Sequence, residues 1–490
     1  MTTTDNKHES YESAVRDLNN LQTNYQIMEQ IRASGGRLNE YSIPEFEAYL
    51  EKVGHNVDDL NQLNVIHVTG TKGKGSTCAF VASILSQLSR ASDGHKLKIG
   101  LFTSPHLIEV RERIQIDGQP IASETFAQYF YETYNALRSC EPPLRKVTPE
   151  SPAMPMYFRF LTLMAYHVFL RESVDVAVVE VGVGGQYDST NVIRRPAVCG
   201  IASLGLDHQV TLGSTIESIA WHKAGIIKHG VPAYTVAQKD SALEVIRSRA
   251  AERSAPLQVV DPQDCRTEEL GIPGSHQRTN AALAAALCRE WLRRTDICPT
   301  QSDEVLDRAI DSGLRGASWP GRSQTFVSPR NPALTWHVDG AHTVESMAAC
   351  AQWFAGISMP PQTPRVLLFN AAHSRNAPEL LTTLVRNATA SEKDAFSEAV
   401  FCPNISGRSD SVNFTVHNDP ELGPQKEAAA VWAQLTGMPA ESTTVLPSID
   451  DAVAHIEAKY GAQHPQPAHV LVTGSLHLVG GVLDAAKGSI

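Results

Sequence analysis

The sequence predicts an α/β protein of two parallel-sheet domains, the first carrying a phosphate-binding loop. Three observations predict it. A β-branched run at 65–69 breaks into Gly70-Thr71-Lys72-Gly73-Lys74-Gly75-Ser76 and then into an apolar-periodic helix over about 77–88. Runs at 98–102, 174–181 and 197–203 are nearly all apolar, as strands buried on both faces are, and helical patterns separate them. Beyond Gly313 the alternation restarts, with runs at 334–338, 365–369, 399–401 and 469–472. At 490 residues the chain is too long for one core. A boundary is expected near 313–320, where Gly313, Gly316, Pro320 and Gly321 cluster, giving domains 1–313 and 314–490.

The remaining elements follow in order. Tyr11, Val15, Leu18, Leu21, Tyr25, Met28 and Ile31 recur at steps of three and four, an amphipathic helix over 11–33. A second helix starts near Pro44, which suits a first turn. Residues 113–119 alternate and turn at Asp117-Gly118. Five prolines mark 140–155 as a surface loop, and an apolar helix follows over 156–170. Ser214-Thr215-Ile216-Glu217 reads as a capping box opening another helix, and 281–292 is a helical Ala/Leu stretch.

Composition narrows the function classes. The chain is 42% hydrophobic and 19% charged with net charge −11, which excludes generic binding to nucleic acid or an anionic membrane. Acidic ligands must then be captured by local cations. Eight scattered cysteines show no Cys-x-x-Cys spacing, so a reducing compartment is expected. No apolar run reaches the roughly 18 residues of a membrane span. The acidic N-terminus resembles neither a signal nor a transit peptide, so the cytoplasm is expected, with an organelle form left open.

The glycine loop is where chemistry starts. Glycines let backbone N–H groups turn inward, a helix N-terminus adds positive potential, and a lysine reaches outer phosphates. The usual P-loop pattern is not met: Gly75 follows Lys74 where a magnesium-binding hydroxyl is usual. The metal's ligands are therefore sought at other strand ends, where α/β sheets gather ligands. Ser104, Glu180 and His208 stand there and would make a Mg²⁺ shell with phosphate oxygens and water. Gly182-x-Gly184 lacks the third glycine of a dinucleotide fingerprint and is set aside. Lys223 sits among Trp221, Ala224 and Ile226; desolvated, it would be nucleophilic enough to take up CO₂ and become a carbamate ligand. By pattern alone a snorkelling surface lysine is the stronger reading. In the second half, Arg322 in a rigid turn suits phosphate, and Asp339-Gly340-Ala341-His342 follows a strand. Two domains with such strand ends suggest a cleft that closes over ligands.

These residues fall in segments that, in order, resemble the eukaryotic folylpolyglutamate synthase family of the Mur ligase superfamily. They are VTGTKGKGSTCAF (68–80), SPHLIEVRERIQIDGQPI (104–121), YFRFLTLMAYHVFL (157–170) and VVEVGVGGQYDSTNVI (178–193). They continue with LGLDHQVTLGSTIESIAWHKAGIIK (204–228), WPGRSQ (319–324), DGAH (339–342), LLFN (367–370) and VTGSLHLVGG (472–481). The resemblance implies a P-loop ATPase domain with a folate site, then a smaller Rossmann-like domain contributing ATP and glutamate contacts. It implies a ligase in which ATP phosphorylates the terminal carboxylate of a folate's glutamate tail. The amino group of L-glutamate then attacks the acyl phosphate.

The same resemblance assigns roles. Thr71, Lys72, Gly73, Lys74, Gly75 and Ser76 form the ATP loop, joined by Gln277, Asn280, Arg322 and Asp339. Ser104, Glu180, His208 and a carbamylated Lys223 hold one or two Mg²⁺ ions, with room for a monovalent cation. Lys74, Lys223 and His342 carry catalysis, and His342 and Ser475 bind the incoming glutamate. Tetrahydrofolate, its polyglutamates, L-glutamate and ATP are the expected partners, and a monomer is expected. Two departures stand out. His222 occupies the place of a common glutamate, and His373-Ser374-Arg375-Asn376 replaces Gly-Asp-Arg-Asp. The rival readings are dihydrofolate synthase on the same scaffold and a P-loop ATPase without ligase chemistry.

Overall fold

The computed structural model describes residues 9–21, 40–149, 151–298, 302–360, 362–371, 376–388, 396–406, 419–461 and 466–487. The chain forms two compact units. The first takes Met1–His106, Val110–Gly271 and Gln277–Ser318; the second takes Leu107–Glu109, Ile272–His276 and Trp319–Ile490.

The first unit is built on an eight-stranded sheet. Its strands are β1 (Ile66–Thr69), β2 (Ile99–Phe102), β3 (Ile114–Ile116), β4 (Gln119–Pro120), β5 (Val176–Glu180), β6 (Val198–Ile201), β7 (Ala233–Val236) and β8 (Leu257–Val260). The order is β4-β3-β2-β5-β1-β6-β7-β8, parallel from β2 to β8, with β3 and β4 an antiparallel hairpin at one edge. Every residue of β1, β2, β5 and β6 is buried, which is why these strands read as unbroken apolar runs. Helices Lys74–Leu85, Tyr157–Arg171 and Gln277–Arg294 bury apolar faces of the same unit.

Three expectations shift. The helix Lys74–Leu85 starts three residues before the apolar period does, because Gly73 caps it in the left-handed region at φ 83°. The first helix stops at Asn19, where two asparagines favour a turn; residues 22–33 lie outside the described residues. The helix Ile216–Ala224 is capped by Thr215, whose side chain accepts the Ser218 N–H at 3.2 Å, one position later than the expected box.

The second unit holds a six-stranded sheet of β9 (Gln324–Val327), β10 (Leu334–Val338), β11 (Arg365–Phe369), β12 (Glu398–Phe401), β13 (Thr443–Val445) and β14 (Ala468–Thr473). Its order is β13-β12-β11-β14-β10-β9, parallel except for β9. Trp336, Leu368, Val470 and Leu478 lie in the core on one side and Phe354, Phe369 and Trp432 in the core on the other. Among the described residues no helix is long and apolar enough to cross a membrane.

Candidate active site

The loop after β1 turns beside the carboxyl ends of β5 and β6, its two sheet neighbours. The N–H groups of Thr71 and Lys72 both donate to the Ser203 carbonyl, at 2.9 and 3.0 Å, tying the loop to the end of β6. Gly73 allows two things at once: a left-handed turn, and close approach of the Asn280 amide, which occupies the place a Cβ would take. Thr77 N–H makes the first helical bond, to the Gly73 carbonyl at 2.8 Å. The N–H groups of Lys74, Gly75 and Ser76 therefore have no partner within the helix, the arrangement that attracts anions.

Side chains complete the loop's surroundings. Gln277 Nε2 donates to Ser76 Oγ at 3.3 Å, and Asn280 Nδ2 donates to Gln277 Oε1 at 2.8 Å. Both amides are buried on the first turn of the helix Gln277–Arg294, so that helix start is braced against the loop. Lys74 Nζ lies 3.9 Å from Glu180 Oε1, and Lys72 Nζ lies 3.9 Å from Asp207 Oδ2. Glu180, paired with Val68 in register, accepts the Ser104 backbone N–H on Oε2 at 3.0 Å. One carboxylate thus meets the phosphate-loop lysine and the end of β2.

Lys223 is not a surface lysine. It is 3% exposed, and its Nζ donates to the Gly70 carbonyl at 2.8 Å. Burial pushes its pKa well below the usual lysine value, and Lys74 and Lys72 push the same way, against Asp207 and Asp188. His222 beside it is also held below the ordinary histidine value, first by burial and then by Lys223 and Arg249.

His208 is exposed in the left-handed region at φ 51°, and its N–H donates to Asp207 Oδ1 at 2.9 Å. Among the described residues no group of three or more His, Cys, Asp or Glu side chains is arranged to hold a metal. Of the expected ligands, Glu180 and Ser104 are joined, through the Ser104 backbone N–H.

In the second unit, Asp339 is 8% exposed and accepts the Ser323 N–H at 2.8 Å. Arg322 donates to the Gly340 carbonyl at 3.3 Å, and the His342 ring does so through Nδ1 at 2.8 Å, which leaves Nε2 as the acceptor of the neutral ring. His276 also belongs here: burial lowers its pKa, Arg322 adds to the effect, and Asp339 opposes it. Ser475 Oγ accepts from Asn404 Nδ2 at 3.1 Å and the His477 N–H at 3.2 Å. Behind it an amide chain continues through Asn370 to Gln425, at 2.9 and 3.0 Å. Residues 373–375, where a departure from the family pattern falls, lie outside the described residues.

No protein-family model matches the chain. Curated proteins do. The chain is 40% identical to "Folylpolyglutamate synthase, mitochondrial" of Homo sapiens, over 98% of this chain and 92% of that one. It is also 40% identical to "Folylpolyglutamate synthase" of Neurospora crassa, over 97% and 91% of the two chains. The chain belongs to the folylpolyglutamate synthase family. Solved structures agree on the fold. An apo enzyme of L. casei superposes with TM-score 0.70 at 23% identity, covering 97% of this chain and 98% of that one. An E. coli FolC structure with DHPP and ADP gives 0.68 at 22%, covering 97% of each chain.

Several polar residues beside the expected site residues were not singled out in the sequence. Asp207, next to His208 in the segment that follows β6, faces Lys72 at 3.9 Å. Asp188 is buried, bonded to the Val183 N–H at 3.0 Å and the Thr190 hydroxyl at 2.6 Å, and burial raises its pKa. Its capping position before Ser189-Thr190 was the available signal. Asn404 and Gln425 lie in no recognisable motif, and only the folded sheet brings them to Ser475.

Proposed function

We propose that the chain is an ATP-dependent ligase that joins L-glutamate to the γ-carboxyl of (tetrahydro)folyl glutamates through an acyl phosphate, releasing ADP and phosphate. The observation that carries the mechanism is the meeting of Lys74, Glu180 and Lys223 around the glycine loop. The 40% identity over 98% of the chain carries the substrate class.

The chain's own residues divide the work. The N–H groups of Lys74, Gly75 and Ser76 and the Lys74 ammonium hold the outer phosphates of ATP, while Gln277 and Asn280 keep the loop in shape. Glu180, the Ser104 hydroxyl and His208 would hold Mg²⁺. Two oxygen donors and an imidazole are a small set, but Mg²⁺ commonly keeps waters and takes phosphate oxygens, so the donor set fits. Bound there, the ion would supply positive charge to phosphoryl oxygens.

Burial lowers the Lys223 pKa and so favours its neutral amine, which adds to CO₂ through its nitrogen lone pair and loses a proton, giving a carbamate. The negative group so formed would be compensated by Lys72 and Lys74 and would be available as an oxygen ligand to Mg²⁺. To Arg322 and Asp339 we assign nucleotide contacts, and to His342 and Ser475 contacts with free glutamate, on the strength of the shared motifs. His342 Nε2, the acceptor nitrogen, is suited to take a proton from the glutamate ammonium.

The test is purified protein with ATP, Mg²⁺ and labelled glutamate, offered tetrahydrofolate in one tube and dihydropteroate in another. We expect label in the folate product and ADP release that needs both glutamate and folate. Extension of dihydropteroate alone would transfer the assignment to dihydrofolate synthase; ADP release without glutamate would make the chain a simple ATPase.

A further inference from the structure

We infer that the guanidinium of Arg113 receives the carboxylate that is to be activated, an inference that rests on the ligase reading above. Its place in the fold comes first. The Arg113 carbonyl accepts the Thr103 N–H at 3.1 Å, so the residue sits across from the carboxyl end of β2. Ser104, next along, is the residue whose N–H binds Glu180. Arg113 therefore stands at the ligand end of the sheet, close enough to Glu180 to feel its charge.

Its partners come second. Arg113 Nε–H donates to His106 Nδ1 at 2.9 Å, and its guanidinium carbon lies 5.5 Å from the centroid of the Tyr157 ring. Neither partner carries a negative charge at neutral pH. Among the described residues no carboxylate forms an ion pair with it. Arg113 is half-buried, and burial lowers its pKa, while Tyr157, Glu180 and Glu112 act the other way. A half-buried arginine with no carboxylate paired to it is placed to take an anionic partner. The Nε contact and the ring fix the plane of the guanidinium and leave the two terminal NH₂ groups, the fork that grips a carboxylate with two parallel hydrogen bonds.

The third observation is the wall beside it. Phe158, adjacent to Tyr157, packs 5.9 Å from the Phe102 ring, and Gly182 lacks the Cβ that would collide with it. Tyr157 and Phe158, both half-buried, put aromatic surface beside the guanidinium, which suits an acid whose planar ring portion precedes its carboxylate. Held by Arg113, such a carboxylate lies on the same sheet end as Lys74 and Glu180, where a phosphoryl group would be presented.

The experiment uses the full chain with Arg113→Gln and Arg113→Lys. Calorimetry would measure Kd for ADP, for a folyl monoglutamate, and for its analogue with the glutamyl carboxyls converted to amides. We expect Arg113→Gln to weaken binding of the acid by roughly 10- to 100-fold, the range of a charge-assisted hydrogen bond, and to bind the amide like the wild type. ADP affinity should stay within about twofold, and Arg113→Lys should recover part of the loss because it keeps the charge without the fork. Unchanged acid affinity in Arg113→Gln overturns the inference, as does an equal loss for acid, amide and ADP. Should Arg113→Gln fail to fold, unchanged acid affinity in Arg113→Lys overturns it, and a selective loss supports it. A wild type that makes no glutamate-dependent ADP sinks the ligase reading instead, which separates the two failures.

Discussion

Lys223 shows how far a single residue's chemistry depends on what surrounds it. Its helix carries Ile219, Ala220 and Ala224 on the buried side, and Lys223 joins them, with the Gly70 carbonyl as its hydrogen-bond partner among the described residues. Burial lowers its pKa and so favours the neutral amine that carbamate formation needs. We expect Lys223→Ala to lose ligation by at least 100-fold and to regain part of it with added formate or acetate, measured as labelled polyglutamate. Full activity of the alanine variant would remove the carbamate from the mechanism. Gly73 carries a second prediction. An alanine there is forced to φ 83° and against the Asn280 amide, so Gly73→Ala should cost about 1–3 kcal/mol and displace the loop. Urea unfolding and ADP titration would read the two effects separately. The sequence displayed the glycines and the lysine of this loop plainly. It could not display the burial of Lys223, because snorkelling and buried lysines share one helical pattern and differ only in what packs over them.

At the scale of elements, legibility followed burial on both faces. β10 and β11 were readable to the residue, and β1, β2, β5 and β6 to within two or three, because each is fully or almost fully buried. β7, β8, β9 and β13 escaped notice: the last three are largely half-buried or exposed, and β7, though mostly buried, is a four-residue run with Tyr234 and Thr235 at its middle and so shows no unbroken apolar stretch. The pair β10–β14 carries a prediction of its own. His337 Nε2 lies 2.8 Å from His469 Nδ1, the rings stacked at 10°. Thr325 Oγ1 meets the other His337 nitrogen at 3.0 Å, Trp353 and Phe354 flank it, and Arg365 acts on His469. Burial, with His469 adding to it, holds the His337 pKa down at about 3, against 6.5 ordinarily. Between those values the unfolded chain binds a proton that the folded chain refuses, so stability is full above about pH 6.5 and falls as pH drops towards 3. The slope is about 1.4 kcal/mol per pH unit for each such histidine. His67, also held down to about 3 by burial, acts in the same direction. Urea unfolding at pH 7, 6 and 5 should show this loss, and His337→Gln should shallow the slope by about one proton. A slope unchanged in the variant would mean His337 is protonated in the folded state.

At the scale of the whole molecule, the two units do not divide the chain at one point. Leu107–Glu109 follows directly on the Ser104 segment yet belongs to the second unit, as does Ile272–His276. Leu107 is 8% exposed in the core that contains Leu334, Trp336 and Val470, and Gly480 lacks the Cβ that would meet its carbonyl. Nothing in the sequence marks it so, because a segment of three residues is too short to carry a period. The consequence is testable in the intact chain. Leu107→Ala removes apolar atoms from a closed core and should cost about 2–5 kcal/mol. The loss should fall on the second unit: by hydrogen exchange, amides of β10 and β14 should lose protection while those of β1 and β5 keep theirs. ADP stabilises what it binds by mass action, so adding it should raise protection at β1. Equal loss of protection in both sheets would mean that the two cores unfold as one, and that Leu107 contributes to the stability of the whole chain and not of the second unit alone.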